Sequence, residues 1–340
     1  MTSHAIILAL SFGTILLGSE LFTNGVEWAG ERFGMAEAAV GSLLAAVGTA
    51  LPETFIPAIA LFMSRGRPGP HSAVGVGAIV GAPLMLSTVA LLVMGVAAIV
   101  FKGRRDRVSL IVAREDARRD LGFFLPIFAT IVLIGAVLNL GPLVRRLMAV
   151  LLLCVYAFYA WTMLQMRRSS DAEVENGLYL ERLLGGRPDT PRLWMTVAQV
   201  FAGTLAILIG ARTFVVEIVR FSGHVGISPG VLSLILSPLA TELPEKYNSV
   251  IWIRQRKDNL ALANITGAMV FQSCIPVALG LAYTPWHLGP PEVLAGAITV
   301  ASCLLLYANL RASELKTPSL MLGGVAYACF IAGLVWLGVL

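Results

Sequence analysis

The chain has 340 residues, of which 25 are Lys or Arg and 20 are Asp or Glu. Its charged fraction is 13%, half of the ~25% typical of soluble globular proteins, while apolar residues reach 57%. This composition excludes a soluble enzyme, an intrinsically disordered chain and a nucleic-acid-binding protein. It predicts an all-α, polytopic membrane protein that contacts membrane lipid and has no nucleic-acid partner.

Charge-poor segments divide the chain into candidate membrane spans. A transmembrane helix needs ~20 predominantly apolar residues. Segments of about that length predict ten spans, which we number one to ten in chain order: 5–24, 36–63, 73–101, 121–139, 147–166, 194–219, 229–253, 260–282, 292–310 and 318–339. The longest polar break, residues 167–191, leaves five spans on each side of it.

Basic residues are distributed unevenly between the loops. Loops after odd-numbered spans hold 18 Lys and Arg residues, and loops after even-numbered spans hold five. Because cytoplasmic loops carry the excess of basic residues, this asymmetry places the odd loops in the cytoplasm and both termini outside. Five spans per half is an odd number, so two halves with the same fold must have opposite orientations. We therefore predict two inverted five-helix repeats, residues 1–166 and 192–340, joined by a cytoplasmic linker at 167–191, as in many secondary transporters.

A short motif supports this repeat. Gly48 to Glu53 in span two reads Gly-Thr-Ala-Leu-Pro-Glu, and Ala240 to Glu245 in span seven reads Ala-Thr-Glu-Leu-Pro-Glu, at an offset of 192 residues. The same offset, without a gap, aligns Gly18 with Gly210, Gly34 with Gly226 and Leu44 with Leu236. A Thr-x-Leu-Pro-Glu string at equivalent places in both halves indicates an internal repeat with a functional centre.

The acids of this motif are functional candidates because a carboxylate inside a bilayer is energetically expensive. Thr49 precedes Glu53 by four residues and Thr241 precedes Glu245 by four, so each Thr–Glu pair is predicted to share one helix face. Two such faces meeting at the repeat interface would form a cation site near the bilayer midplane, where inverted-repeat transporters place theirs.

The prolines of the motif add backbone oxygen to this predicted site. Pro52 and Pro244 each remove one N–H from a helix and free the carbonyl four residues earlier, at Gly48 and Ala240. Carbonyl, hydroxyl and carboxylate oxygens are hard ligands, which suit Ca²⁺ or Na⁺.

With these strings the chain resembles the cation/calcium exchanger superfamily, best known from sodium/calcium exchangers. Each α-repeat of that family carries a Gly-Thr-Ser-Leu-Pro-Glu-like string and, in the next helix, a Gly-Asn-x-x-Gly-Ser-Asn-like string. The resemblance is strongest over about 30–90 and 222–282. It implies a ten-helix inverted fold with an outside N-terminus. It also implies that Glu53 and Glu245 are the central metal ligands, with Thr49 and Thr241 beside them.

The second string departs from the family pattern differently in the two halves. In span eight, Asn264 and Gly267 match, Ala268 replaces the family serine, and Gln272 stands where the family has a ligating Asn or Asp. In span three, residues 77–86 keep the glycines and lose each polar ligand. The third span is therefore expected to supply no side-chain oxygen there.

Residues around the second motif extend the candidate site. Asn248 follows Thr241 by seven residues and is a secondary ligand candidate on the same predicted face. Glu242 stands where the family has a small hydroxyl residue, and Lys246 follows it by four residues. Two interpretations are open: Glu242 and Lys246 form an ion pair that neutralises itself, or the Lys246 ammonium occupies or titrates part of the cation site.

Glycines at 75, 77 and 81 in span three have a simpler interpretation. They are not followed by the Lys-Ser/Thr pair of a phosphate-binding loop. We predict that they allow close packing between helices.

The leading hypothesis for function is a secondary active antiporter that exchanges Ca²⁺ or a related cation for Na⁺ or H⁺ by alternating access. No catalytic residues and no cofactor are expected, because no nucleophile–base pair or catalytic metal cluster stands out; the ligands are the transported cations. The alternative is a divergent, non-transporting relative that acts as a membrane binding or assembly protein. We expect the prokaryotic inner (plasma) membrane as its location, and the sequence specifies no oligomeric state.

Overall fold

A computed structural model describes residues 2–32, 45–105, 107–165, 177–185, 191–310 and 314–340 of the chain. These residues are almost entirely helical, and two two-residue strands form the one sheet among them. The elements in the first half are α1 (Thr2–Arg32), α2 (Ala45–Ser64), α3 (Pro70–Met85), a π-helix (Leu86–Ala90), α4 (Leu91–Val100), α5 (Lys102–Arg105), β1 (Leu110–Ile111), α6 (Arg114–Val137) and α7 (Pro142–Gln165). The linker region contains α8 (Tyr179–Leu183). The second half contains α9 (Leu193–Val225), α10 (Pro229–Thr241), α11 (Leu243–Arg254), α12 (Asp258–Tyr283), α13 (Pro290–Asn309), β2 (Glu314–Leu315) and α14 (Thr317–Trp336).

Each predicted span corresponds to one helix or one interrupted helix. Within the described residues, eight of these segments are long and apolar enough to cross a membrane. The other two segments carry the Leu-Pro-Glu motif: α2 is a 20-residue helix, and the seventh span is divided into Pro229–Thr241 and Leu243–Arg254. The predicted ten-span, all-α membrane fold is therefore confirmed, and the seventh span is the one that departs from a single continuous helix at its motif.

The first and sixth spans are longer than predicted. The helices α1 and α9 contain 31 and 33 residues and pack along each other. Hydropathy alone ended these spans where polar residues begin, at 24 and 219. The helices continue past those points because helix–helix packing stabilises turns that lie beyond the apolar stretch.

Glycine packing in the α1–α9 pair reveals the internal symmetry of the fold. A Cβ added at Gly18 would lie 2.8 Å from the backbone nitrogen of Ile207, and one added at Gly210 would lie 3.1 Å from that of Ile15. Gly18 and Gly210 are separated by 192 residues, as are Ile15 and Ile207. The two contacts are therefore repeat equivalents across one antiparallel pair, as inverted repeats require.

Helices α3 and α10 also approach through glycines. A Cβ added at Gly77 would lie 2.2 Å from the Gly230 carbonyl oxygen, and one added at Gly81 would lie 2.2 Å from that of Leu234. The predicted packing role of these glycines is confirmed, because any side chain there would collide with backbone atoms.

The seventh span is not one continuous helix. The chain leaves helical geometry at Glu242, between the end of α10 at Thr241 and the start of α11 at Leu243. The prediction that Thr241 and Glu245 share one helix face is therefore wrong. Pro244 lies in the first turn of α11, where its missing N–H costs nothing, so the proline begins a helix here.

Loop contacts establish which ends of the spans share a side. Strand β1, after span three, pairs antiparallel with β2, after span nine. Asp258, after span seven, accepts a hydrogen bond from the Ile111 backbone N–H at 2.9 Å. In the linker, the Tyr179 backbone N–H donates to Asn24 of α1. The loops after spans three, seven and nine thus lie together; of the linker 167–191, residues 177–185 and 191 are described.

The centre of the molecule is formed by the helices that follow the motif. The most apolar window of α12 is 78% buried and that of the α3–α4 segment is 67% buried, whereas that of α7 is only 17% buried. α2 and α11 both pack against α12. The motif glutamates therefore come from helices that adjoin the most enclosed part of the fold.

Candidate functional site

Two glutamates from equivalent positions of the two repeats meet in the interior. Glu53 of α2 is 5% exposed, and Glu245, in the first turn of α11, is completely buried. The two carboxylates are close enough to repel each other electrostatically. Burial of two interacting acids in an apolar interior is costly unless a positive charge joins them. The arrangement is therefore suited to binding a cation.

The break between α10 and α11 positions the second acid. The Glu242 backbone N–H still donates to the Pro238 carbonyl of α10 at 3.0 Å, and the Lys246 N–H donates to the Glu242 carbonyl at 3.2 Å. Glu242 thus closes one helix and caps the next. Glu245 lies in the first turn of α11, where the helix dipole favours a negative charge.

An ammonium group lies among the acids. Lys246 Nζ donates to Glu242 Oε2 at 3.0 Å; Glu242 is completely buried and Lys246 is 6% exposed. Lys246 also interacts electrostatically with Glu53, as does Glu242. The ion pair expected from the spacing is therefore present, and its ammonium is also within the electrostatic field of the motif glutamates.

Gln272 supplies an amide to the same region. Its side chain is completely buried and faces the Glu53 carboxylate. Among the described residues, neither end of the Gln272 amide and neither Glu53 oxygen has a partner at full hydrogen-bond geometry. Buried polar atoms are nearly always partnered in folded proteins, so this pair of groups is suited to an additional ligand.

The remaining predicted ligands lie at different depths. Thr241 is buried and donates its hydroxyl to the Ser237 carbonyl at 3.1 Å, which leaves the hydroxyl oxygen able to accept or coordinate. Asn248 and Asn264 are half-buried, and the Asn264 amide nitrogen has no partner among the described residues. The side chains of Thr49, Pro52 and Pro244 lie outside the described part of the structure, although α2 passes through residues 49 and 52 as a continuous helix.

The third span contributes an apolar surface at the equivalent position. Val80 stands 192 residues before Gln272 and is buried. Ser87 and Thr88 are buried within the π-helix, and both hydroxyls donate to the Leu84 carbonyl. The side-chain oxygens of the site that the structure describes therefore come from spans two, seven and eight.

Two polar residues near the acids were not predicted. Ser249 is buried, and its hydroxyl has no partner among the described residues. It follows Glu245 by four residues, a spacing that could have identified it. Tyr327 of α14 interacts electrostatically with Glu242. No sequence signal indicated Tyr327, because it lies 85 positions further along the chain.

The ligand set is mixed. Among the described residues, no three Asp, Glu, His or Cys side chains converge as a preformed metal cluster. A cation held between Glu53 and Glu245 would need further oxygens from neutral groups such as Gln272, Thr241, the backbone or water. Such oxygen-rich, adaptable sets are typical of Ca²⁺ and Na⁺ sites rather than of transition-metal sites.

Inverted helical repeats and paired buried acids together define the chain as a membrane transport protein of the exchanger type. The chain matches the family described as "sodium/calcium exchanger protein" over residues 3–165 and 195–339, and it belongs to that family. The two matched segments correspond to the two groups of five spans.

Curated relatives match over most of their length. An uncharacterized membrane protein of Methanocaldococcus jannaschii is 25% identical over 305 residues, which cover 89% of either chain. The candidate antiporter CaxA of Alkalimonas amylolytica is 24% identical over 326 residues, 94% of either chain. The inner membrane protein YrbG of Escherichia coli is 24% identical over 263 residues, 76% of this chain and 73% of YrbG.

Solved structures share the fold. The H⁺/Ca²⁺ exchanger CAX superposes with a TM-score of 0.75 at 17% identity, covering 98% of this chain and 82% of CAX. The sodium–calcium exchanger NCX_Mj superposes with a TM-score of 0.61 at 21% identity, covering 97% of both chains. At these identities the likeness concerns the fold.

Proposed function

We propose that the protein is a secondary active antiporter that exchanges Ca²⁺, or a related cation, for Na⁺ or H⁺. In this proposal Glu53 and Glu245 are the central ligands of the transported cation. Gln272, Thr241 and Thr49 add neutral oxygens, and Asn248 and Asn264 are further cation ligands. The two repeats, residues 1–166 and 192–340, alternate access to the site from opposite sides of the membrane.

One observation carries this proposal: the two repeat-equivalent glutamates are both buried and interact with each other. A site made symmetrically from inverted halves can face either side of the membrane with similar geometry. Exchange of cations needs that property, whereas a structural ion pair does not.

The formal charge of the site limits which cations it can bind. Glu53, Glu242 and Glu245 with the Lys246 ammonium have a formal charge of −2 when all four groups are ionised. In a low-dielectric interior the occupied state is most stable when that charge is neutralised. One divalent cation or two monovalent cations would neutralise it. Lys246 thus acts in this proposal as a tethered positive charge that takes the place of one mobile cation.

The protein is proposed to lie in a prokaryotic inner membrane, with both termini outside and the linker 167–191 in the cytoplasm. The excess of basic residues in the odd loops supports this orientation. The likeness to the E. coli inner membrane protein YrbG supports the location.

The test is Ca²⁺ flux into proteoliposomes under an imposed gradient. We expect the wild-type protein to accumulate Ca²⁺ when an outward Na⁺ gradient or an outward H⁺ gradient is imposed. The gradient that drives uptake identifies the counter-ion. Glu53→Gln and Glu245→Gln should each reduce the rate at least about a hundredfold, since each removes a charged ligand worth about 3 kcal/mol.

Glu217→Gln is the matched control. Glu217 is also a buried helical glutamate, but it pairs with Arg220 at 2.7 Å and with His4 at 2.7 Å, away from the motif. This variant should retain Ca²⁺ flux. Unchanged flux in both motif variants would overturn the site assignment.

The second candidate function is a non-transporting membrane binding or assembly protein. Lys246 beside the motif acids and the apolar Val80 favour it, because both reduce the capacity of the site for cations. Thermal unfolding in detergent separates the two functions. If millimolar Ca²⁺ and millimolar Na⁺ both leave the melting temperature unchanged and no gradient drives flux, the non-transporting function is correct.

A further inference from the structure

A cleft of about 360 Å³ lies at the ends of the even-numbered spans, away from the motif acids. Its walls are the turn after α2, the first turn of α7 and the turn after α12. Three arginines line it: Arg65, Arg145 and Arg146. We refer to this region as the arginine cleft.

The arginine cleft concentrates positive charge without acids. Its lining contains no Asp or Glu. Among the described residues, none of its three guanidinium groups forms an ion pair. The loops after even spans hold five basic residues in all, so three of those five share this one cleft. Like charges gathered in one place repel each other and favour a bound anion.

Arg145 is held in a fixed direction in the cleft. It donates one guanidinium N–H to the Thr284 carbonyl, which fixes the direction of the side chain. Its Nε is buried and has no partner among the described residues. A guanidinium carries five N–H donors, so this fixed group has further donors for an oxyanion in the cleft.

The cleft also adjoins lipid-facing surface. Phe62 and Tyr283 pack edge to face in its wall, with ring centroids 5.2 Å apart, and are 60% and 40% exposed. Leu143 and Leu147, in the first two turns of α7, are 70% and 61% exposed. Apolar and aromatic side chains beside basic ones are typical of the boundary between acyl chains and headgroups.

We propose that the arginine cleft binds a phosphate group, either that of an anionic phospholipid headgroup or free phosphate. Arginine recognises phosphate through paired N–H donors, whose planar fork matches the geometry of a phosphate group. The site is separate from the proposed cation site and does not depend on cation exchange. It would tie together the outer ends of α2, α7 and α12.

The test measures binding to the full chain purified in detergent. The probes are phosphatidylglycerol, zwitterionic phosphatidylethanolamine and inorganic phosphate. Native mass spectrometry detects the bound probe, and the shift in melting temperature measures the stabilisation that it gives. The main variant is Arg65→Gln with Arg146→Gln, because it leaves the Arg145–Thr284 hydrogen bond intact. Arg67→Gln is the matched control, since Arg67 is in the same turn as Arg65 but does not line the cleft.

We expect the double variant to bind its phosphate ligand at least about tenfold more weakly than wild type, and Arg67→Gln to bind as wild type does. Arg145→Lys should also bind more weakly, because lysine keeps the charge and loses the forked donors. Selective retention of phosphatidylglycerol identifies the lipid headgroup as the source; stabilisation by inorganic phosphate alone identifies free phosphate. Equal binding in the double variant and Arg67→Gln, or no preference for phosphatidylglycerol or phosphate over phosphatidylethanolamine, overturns the proposal.

Discussion

At the scale of single residues, the distinctive feature of this chain is a lysine beside the buried glutamates of the motif. Lys246 pairs with Glu242 at 3.0 Å and also interacts with Glu53. Removing only one partner of a buried ion pair is costly, because the other charge is left without compensation. Changes at Lys246 should therefore affect both stability and cation binding.

We expect Lys246→Ser to lower the melting temperature without Ca²⁺ and to tighten Ca²⁺ binding at least about tenfold, since a nearby positive charge is removed from the site. Saturating Ca²⁺ should restore the lost stability. Lys246→Arg keeps the charge and should bind Ca²⁺ as wild type does. Weaker Ca²⁺ binding in Lys246→Ser would contradict the proposal that the Lys246 ammonium takes the place of one mobile cation.

The sequence identified the charged part of the candidate site, because acids and a base stand out in an apolar span. Glu53, Glu245 and Lys246 are all buried in the interior, as the pattern indicated. Ser249 and Tyr327 were missed, because serine and tyrosine are ordinary residues of membrane helices and carry no charge that marks them. Tyr327 comes near Glu242 only through the fold, whereas Ser249 could have been found from its four-residue spacing to Glu245.

At the scale of elements, the span boundaries could be predicted to within several residues for most helices, because chain hydropathy reflects burial in lipid. The break at Glu242 could not be predicted in this way. A Leu-Pro-Glu string is compatible both with a kinked helix and with a helix start, and the two copies differ: α2 continues through residue 52, while the second copy begins a new helix at Leu243. The π-helix at Leu86–Ala90 has no composition that distinguishes it from its neighbours.

Close packing of α3 on α10 gives a prediction at this scale. In Gly81→Ala the new Cβ would lie 2.2 Å from the Leu234 carbonyl oxygen, so the backbones of α3 and α10 must move apart. We expect a loss of about 1–3 kcal/mol in the free energy of unfolding, the usual cost of overpacking. Thermal or denaturant unfolding in detergent measures this loss.

Gly122→Ala is its control. Gly122 is also helical, and an added Cβ there meets nothing within 4 Å. Because alanine is a better helix former than glycine, this variant should be neutral or stabilised by up to about 1 kcal/mol. Equal losses in the two variants would show that α3 and α10 do not pack as described.

At the scale of the whole molecule, the odd number of spans in each half and the distribution of basic residues predict the inverted repeat. Gly18 contacts Ile207, and Gly210 contacts Ile15. These two contacts agree with the inverted repeat, because Gly210 and Ile207 are the repeat equivalents of Gly18 and Ile15. Which helices become neighbours did not follow from the sequence. Apolar spans are chemically alike, and their partners depend on the shape of complete helix surfaces.

The orientation across the membrane gives a further prediction. In a background where the four native cysteines are replaced, Gly141→Cys should react with a membrane-impermeant thiol reagent in intact cells. Gly103→Cys should react only after the cells are permeabilised. Both glycines have open space around an added Cβ, so the substitutions are matched. The opposite labelling pattern would invert the orientation.

The central claim is that two repeat-equivalent glutamates hold one transported cation, and equilibrium binding of ⁴⁵Ca²⁺ to the purified protein tests it most directly. We expect Glu53→Gln and Glu245→Gln each to abolish the same saturable Ca²⁺ site, while Glu217→Gln retains it. Undiminished Ca²⁺ binding in either motif variant, with the protein folded, would contradict the account.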